Sequence, residues 1–214
     1  MCTETAVSRI RGLYAIPPET PDLAQLQEWV GRAIEGGARV VQYRAKTLPD
    51  AVRLLQARAL ARQCRARGTV FIVNDRVDLA RESGADGVHL GQSDLGVTVA
   101  RPSRPFLVGV SCHDDLELAQ KAHEWGADYV AFGSFFPSPT KPTARHAPLS
   151  VLQHARRLVP LPLVAIGGIT LEGAPGLINA GAHAVAVISA LFDKPDRIFS
   201  TASQFSLCFQ GHHD

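Results

Sequence analysis

"GGARVVQYR" at 36–44, "SGADGVHLG" at 83–91, "WGADYVAFG" at 125–133 and "AGAHAVAVIS" at 180–189 are four versions of one phrase. Each reads Gly-Ala, a polar residue, then an apolar run rich in β-branched residues, and each follows an amphipathic stretch. Glycine suits the left-handed position that ends a helix. The alanine after it permits close helix–strand packing. These alanines fall at 38, 85, 127 and 182, so the copies stand 47, 42 and 55 residues apart. That spacing is roughly two βα units per copy.

Four more apolar runs lie between the copies: "GLYAI" from 12, "TVFIVND" from 69, "PFLVGVS" from 105 and "PLVAIGG" from 162. The total is eight strands. Helical patterns at 22–35, 50–67, 115–125, 149–158 and 171–180 separate them, with shorter ones near 77–83 and 94–100. The strands are almost continuously apolar, as parallel strands buried on both faces should be. The pattern predicts an α/β chain folded as a single-domain (β/α)8 TIM barrel over 1–214, with a doubly wound sheet as the alternative. No element is assigned after about residue 193, where a mobile tail is expected.

Composition narrows the function. The 214 residues are 46% hydrophobic and 20% charged, with a net charge of +2. Such a balance argues against a nucleic-acid partner held by charge. The N-terminal "MCTETAVSRIRGLYAIPP" lacks a signal-peptide core, and the longest apolar run, "AVAVISALF", is too short to span a bilayer, so no membrane association is expected. Cysteines at 2, 64, 112 and 208 form no Cys-x-x-Cys pair and read as reduced thiols of a cytoplasmic protein.

In a barrel, catalytic groups gather at the C-terminal ends of the strands. Strand two ends in Gln42, Arg44 and Lys46, which alternate and so share one side. Strand three ends in Asn74 and Asp75, strand four in His89 and then "GQSD" to Asp94, and strand five in Ser111 and His113. Strand seven ends in Gly167-Gly168 and strand eight in Ile188-Ser189. Strand six runs into "FGSFFPSPTKPTARHAPLS" at 132–150, a proline-stiffened, cationic and hydroxyl-rich loop that reads as a lid. Each residue alone has a plainer reading. Asp75 and Asp94 could cap the helices that follow them. His89 and His113 could be structural, and the diglycine a tight turn. Their convergence on one face favours a site.

Two aspartates offer oxygen ligands to Mg²⁺, which takes one or two carboxylates together with substrate phosphate oxygens. Arg44, Lys46 and Lys141 add three positive charges, the set needed for a diphosphate. The diglycine and the end of strand eight lie where barrels hold a monophosphate on backbone N–H groups. Two anionic small-molecule substrates are therefore expected. No pair resembles an activated nucleophile.

In order, "VQYRAK", "NDRVDLA", "DGVHLGQSDL", "GVSCH", "FGSFFPSPTK", "AIGGI" and "AVAVISAL" closely resemble the thiamin phosphate synthase family, across about residues 12–192. The resemblance implies a (β/α)8 barrel that joins 4-amino-5-hydroxymethyl-2-methylpyrimidine diphosphate to 4-methyl-5-(2-phosphoethyl)thiazole, yielding thiamin phosphate and diphosphate. It implies that Gln42, Arg44, Lys46 and Asn74 hold the pyrimidine diphosphate, within a binding stretch that includes Tyr43 and Ala45. It also implies Asp75 and Asp94 as Mg²⁺ ligands and Ser111 as a pyrimidine contact. Ser138, Pro139 and Thr140 would meet the thiazole phosphate, Lys141 the diphosphate, and Gly168 with Ile188 and Ser189 would cradle the thiazole phosphate. Arg44, Lys46, Lys141 and Ser111 would form the catalytic set.

The chain departs from the usual motif at Tyr43 and Ala45, where Leu and Glu are commoner, and at Ser138, where Thr is. Three rivals stand beside this reading: a thiazole tautomerase on the same barrel, a sugar-phosphate isomerase or aldolase, and a non-catalytic thiamin-precursor binding protein. The oligomeric state is not legible in the sequence.

Overall fold

The computed structural model describes residues 7–91, 106–137 and 146–211. Its strands are β1 (Gly12–Ala15), β2 (Val40–Tyr43), β3 (Val70–Asn74), β4 (Gly87–Leu90), β5 (Leu107–His113), β6 (Tyr129–Phe132), β7 (Leu163–Ile166) and β8 (Ala184–Val187). Each pairs in parallel with the next, and β8 returns to β1 with Gly12 opposite Ala184 and Ala15 opposite Val187. That closure makes a barrel and excludes the open doubly wound sheet. The surrounding helices are α1 (Leu23–Glu35), α2 (Asp50–Ala66), α3 (Val77–Ser83), α4 (Leu116–Glu124), α5 (Ser150–Leu158), α6 (Ala174–Asn179), α7 (Ser189–Phe192) and α8 (Ile198–Leu207). The helix expected near 94–100 lies outside the described residues.

The repeated phrase has one structural meaning in all four copies. Gly37, Gly84, Gly126 and Gly181 sit at positive φ. The N–H of each following alanine donates five residues back: Ala38 to Ala33, Ala85 to Ala80, Ala127 to Ala122 and Ala182 to Leu177. This six-to-one bond closes the helix end and turns the chain into the next strand. The polar residue then reaches sideways. Asp86 Oδ2 accepts the N–H of Phe71 at 2.8 Å, and Asp128 Oδ2 accepts that of Val108 at 2.8 Å. His183 Nδ1 accepts the N–H of Leu163 at 2.9 Å. In return the amides of Asp86, Asp128 and His183 donate to the carbonyls of Phe71, Val108 and Leu163. Each even strand from β4 onward is thus clamped to the odd strand before it, below the mouth. At β2 only the backbone half survives, from Arg39 N–H to Leu13 O.

Strand side chains divide between two cores. Tyr14, Val40, Val70, Ile72, Leu107, Tyr129, Val164 and Ala184 fill the barrel interior, while Val41, Phe71, Val88 and Val185 pack outward beneath the helices. This alternation sets Gln42 inside and Tyr43 outside.

Beyond residue 193 the structure corrects the expectation of a mobile tail. Helix α8 buries Ile198, Ala202 and Phe205, and a side chain at Gly36 would collide with Ala202. Ser206 Oγ donates to Gly36 O at 3.0 Å, binding α8 to the end of α1. The stretch "IFSTASQF" has an apolar stripe but no charges, so its polar face carries little helical signal.

Asp128→Ala leaves the buried Val108 N–H without its acceptor. It is expected to lower unfolding stability by about 1.5–3 kcal/mol, measured by urea denaturation. A loss under about 0.5 kcal/mol, the range of ordinary surface substitutions, would show that the clamp is dispensable.

Candidate active site at the barrel mouth

Towards the C-terminal end of the strands the barrel interior becomes polar. Gln42 Nε2 donates to the Tyr14 hydroxyl at 2.7 Å, and that hydroxyl lies 3.0 Å from the Tyr129 hydroxyl. The Tyr129 hydroxyl lies 3.1 Å from His89 Nδ1, and His89 Nε2 lies 2.8 Å from Ser111 Oγ. Residues from β1, β2, β4, β5 and β6 are joined in one chain across the barrel. Gly109 makes this possible, because any Cβ there would run into the Tyr129 ring. The His89 and Tyr129 rings stack at 5.6 Å. Burial pushes both phenols well above their ordinary pKa. It also lowers His89 to about 4, so the ring is neutral near pH 7.

Charged groups follow above this floor. Arg44 and Lys46 follow directly on the end of β2, and Asn74 ends β3. Lys46 Nζ lies 3.7 Å from Asp75 Oδ2, with the side chains 57% and 34% exposed. Asp75 does not cap the next helix. The N-cap of α3 is Arg76, which makes no side-chain cap bond. Asp75 instead adopts a left-handed backbone with φ 60°, and its N–H donates to His89 O at 2.8 Å. A non-glycine residue in that region is held by its surroundings. His113, at φ 53°, occupies an irregular step in the β5–β6 register and is exposed.

The turn after β7 supports the start of the loop that leaves β6. Phe135 and Phe136 donate their N–H groups to Ile166 O and Gly167 O at 3.2 and 3.0 Å. A Cβ on Gly168, which sits at φ +64°, would strike the carbonyl of Pro137. The diglycine is therefore a seat for the loop as well as a tight turn. Ile188 lies beside the interior cluster, and Ser189 opens α7, whose first N–H groups have no intrahelical acceptor. Ser138, Pro139, Thr140, Lys141 and Asp94 lie outside the described residues.

Within this stretch two positions turn away. The Tyr43 hydroxyl donates to Gln56 Oε1 at 2.8 Å in the outer core, and Ala45 packs against the same cluster. Their side chains belong to the helix layer, and any part in binding falls to their backbone.

A family profile described as thiamine monophosphate synthase matches residues 13–191. The chain belongs to the thiamine monophosphate synthase family. A thiamine-phosphate synthase of Thiobacillus denitrificans is 51% identical over 86% of this chain and 89% of its own. One of Nitrosospira multiformis is 46% identical over 98% of this chain and 90% of its own. Among solved structures, a thiamine phosphate pyrophosphorylase from Pyrococcus furiosus superposes with a TM-score of 0.80 at 34% identity, covering 92% of this chain and 94% of that one.

Beside the thiamine monophosphate synthase motifs stand residues that the sequence reading passed over. In sequence Tyr14 and Tyr129 stand within almost continuously apolar strands. A tyrosine on a strand buried on both faces must still satisfy its hydroxyl, and that requirement was the available signal. Glu19 carried none. Its Oε1 accepts the N–H groups of Thr47 and Leu48, each at 2.8 Å, and the Thr47 hydroxyl, while Oε2 accepts the Lys46 N–H at 2.9 Å. This one carboxylate pins the loop that carries Lys46. Burial alone would raise its pKa, but the bonds from Lys46, Thr47 and Leu48 outweigh that and bring it down to about 2.

Because the folded-state value lies below the ordinary one near 4.3, the pinning persists above that pH and is lost as pH falls through about 2. A carbon-13 titration of the Glu19 carboxyl should therefore show its midpoint near 2. A midpoint at the ordinary value would mean that the loop is free.

Proposed function

We propose that this chain joins an aminopyrimidine methyl diphosphate to a thiazole phosphate, giving thiamin phosphate and diphosphate. One observation carries the assignment of chemistry to the site. Gln42, Arg44, Lys46, Asn74 and Asp75 lie at and just beyond the C-terminal ends of the adjacent strands β2 and β3, at the same end of the barrel as Ser111 of β5. Family membership supplies the reaction, and the mouth supplies the groups that it requires.

The reaction breaks the bond between the pyrimidine methylene carbon and the diphosphate oxygen, and the electron pair leaves with the oxygen. The thiazole nitrogen then donates its lone pair to that carbon. It carries no proton to lose, so no general base is needed. What the protein must do is neutralise charge on the leaving group and exclude water. Arg44 and Lys46 fit the first task, with Lys141 on the lid as a third cation. The lid and the phenylalanines at its start fit the second. Gly168, Ile188 and Ser189 offer backbone to the thiazole phosphate, alongside Ser138, Pro139 and Thr140 from the lid.

The donor set suits Mg²⁺. Asp75 keeps its carboxylate uncommitted to a cap, and its left-handed backbone is held at the mouth. Among the described residues no cluster of three or more His, Cys, Asp or Glu could hold a metal. Mg²⁺ does not need one, since it binds through one or two carboxylates and substrate phosphates. Asp75 and Asp94 would hold it, and when bound it would offset the negative charge of the diphosphate.

The rival readings lack support at the mouth. A tautomerase has no use for the paired cations and the uncapped aspartate. A Schiff-base aldolase needs a lysine within a strand, and the eight strands contain none. A cytoplasmic location accords with the buried free thiols of Cys64 and Cys112, which burial pushes up to about 12. Among the described residues no helix is long and apolar enough to cross a membrane.

Incubation with both substrates and millimolar Mg²⁺ should yield thiamin phosphate, and diphosphate only when both are present. Absence of product would overturn the assignment. Asp75→Asn should shift the Mg²⁺ titration to at least about tenfold higher concentration, the scale of one lost charge-assisted contact. An unmoved titration would remove Asp75 from the metal site.

A further inference from the structure

The hydrogen-bond chain beneath the mouth has a direction. Tyr14 and Tyr129 are 1% and 0% exposed, and each phenol has one proton to place. Tyr14 already accepts from Gln42 Nε2, so its own proton goes to its other partner, Tyr129. Tyr129, now an acceptor from Tyr14, sends its proton to His89 Nδ1. A neutral imidazole that accepts at Nδ1 carries its proton on Nε2 and donates it to Ser111 Oγ. Nothing in the chain then needs the Ser111 proton. That proton is left for the mouth, which the half-buried Ser111 faces.

We infer that Gln42, acting through a chain of four hydrogen bonds, fixes the Nε2–H tautomer of His89 and so holds Ser111 as a hydrogen-bond donor to the substrate. Tyr14, Tyr129 and His89 are positioning residues, and none of them needs to touch the reacting atoms. The two ends of the chain are of opposite kind. Gln42, which donates with Nε2, keeps Oε1 as an acceptor, and Ser111 keeps a donor. The inference rests on the proposed function in one respect, that the acceptor met by Ser111 belongs to the pyrimidine substrate.

The reverse polarity would satisfy the same distances with every proton turned round. It requires an acceptor at Gln42 in place of the donor. Gln42→Glu supplies that acceptor. An ionised carboxylate can only accept, so Tyr14 must donate to it, Tyr129 to Tyr14, His89 Nδ1–H to Tyr129, and Ser111 to Nε2.

Nitrogen-15 NMR of histidine-labelled protein without ligand tests this. The native chain should show neutral His89 protonated at Nε2. Gln42→Glu, at about pH 8 with the introduced carboxylate shown ionised by its carbon-13 resonance, should move the proton to Nδ1. A native ring protonated at Nδ1 or at both nitrogens, or a tautomer that does not respond to the substitution, overturns the inference. A kinetic arm asks whether the chain acts through Ser111. Tyr129→Phe should lower kcat by about tenfold, one hydrogen bond's worth, with KM for the diphosphate little changed. In a Ser111→Ala background the same substitution should cost nothing further, whereas independent losses that multiply would overturn it. If the native chain forms no thiamin phosphate, the functional reading fails, while the NMR arm still decides the polarity of the chain.

Discussion

The clamp between a side chain at the foot of one strand and the backbone N–H of its neighbour organises this barrel. Asp86, Asp128 and His183 each accept from the strand before and each return an amide to the same residue's carbonyl. Parallel strands joined by long crossovers bring no local hairpin to set their register. The clamp supplies that register at the N-terminal end, where the helix has just been closed by the glycine and alanine. Pairing then runs upward, and alternation decides which residues enter the barrel. A slip of one residue in β4 would take His89 out of the interior and break the polar floor. The geometry of the mouth therefore depends on bonds made at the bottom.

Between these two levels the barrel changes character. Its lower interior is filled with Val40, Val70, Leu107, Val164 and Ala184. Its upper interior holds two phenols, an imidazole, an amide and a hydroxyl, all bonded to one another. An unmatched group in such a place would cost about 1–3 kcal/mol, so the members are tied to a common fate. The floor is rigid and uncharged, and the charges begin only at its rim with Arg44, Lys46 and Asp75. This separation suits a reaction whose leaving group is highly charged and whose reacting carbon becomes a cation. Cationic groups stand at the mouth, while the floor offers hydrogen-bonded dipoles.

Much of this was legible in the sequence, for identifiable reasons. The recurring Gly-Ala-polar phrase encodes helix end, turn and strand foot within a few residues, so strand number and closure followed from local signals. That Gln42, Arg44, Lys46, Asn74, Asp75 and Ser111 stand at one end of the barrel was legible because strand ends in a barrel share a face. The clamp itself was not, since the partner of Asp128 lies 20 residues back, at Val108. Glu19 reaches across to Lys46, Thr47 and Leu48 and belongs to no periodic pattern. Tyr14 and Tyr129 are 115 positions apart, and only the closed barrel brings their hydroxyls together. Helix α8 was missed because its docking on α1 depends on Gly36, an effect of shape that hydropathy does not record.

Glu19 shows how the mouth keeps its cations in place without neutralising them. A carboxylate near Lys46 could have paired with the ammonium and weakened its pull on an anion. Here both oxygens are taken up by the backbone of residues 46–48 and by the Thr47 hydroxyl. The negative charge is spent on holding the loop, and Lys46 is left to Asp75 at 3.7 Å, a distance longer than a tight ion pair. Both side chains are solvated enough for the pair to be weak. On the proposed reading, a diphosphate with Mg²⁺ would draw the two apart at little cost, Lys46 serving the phosphate and Asp75 the metal. The mouth thus holds its opposite charges against each other, and the proposed substrate complex would separate them onto opposite ligands.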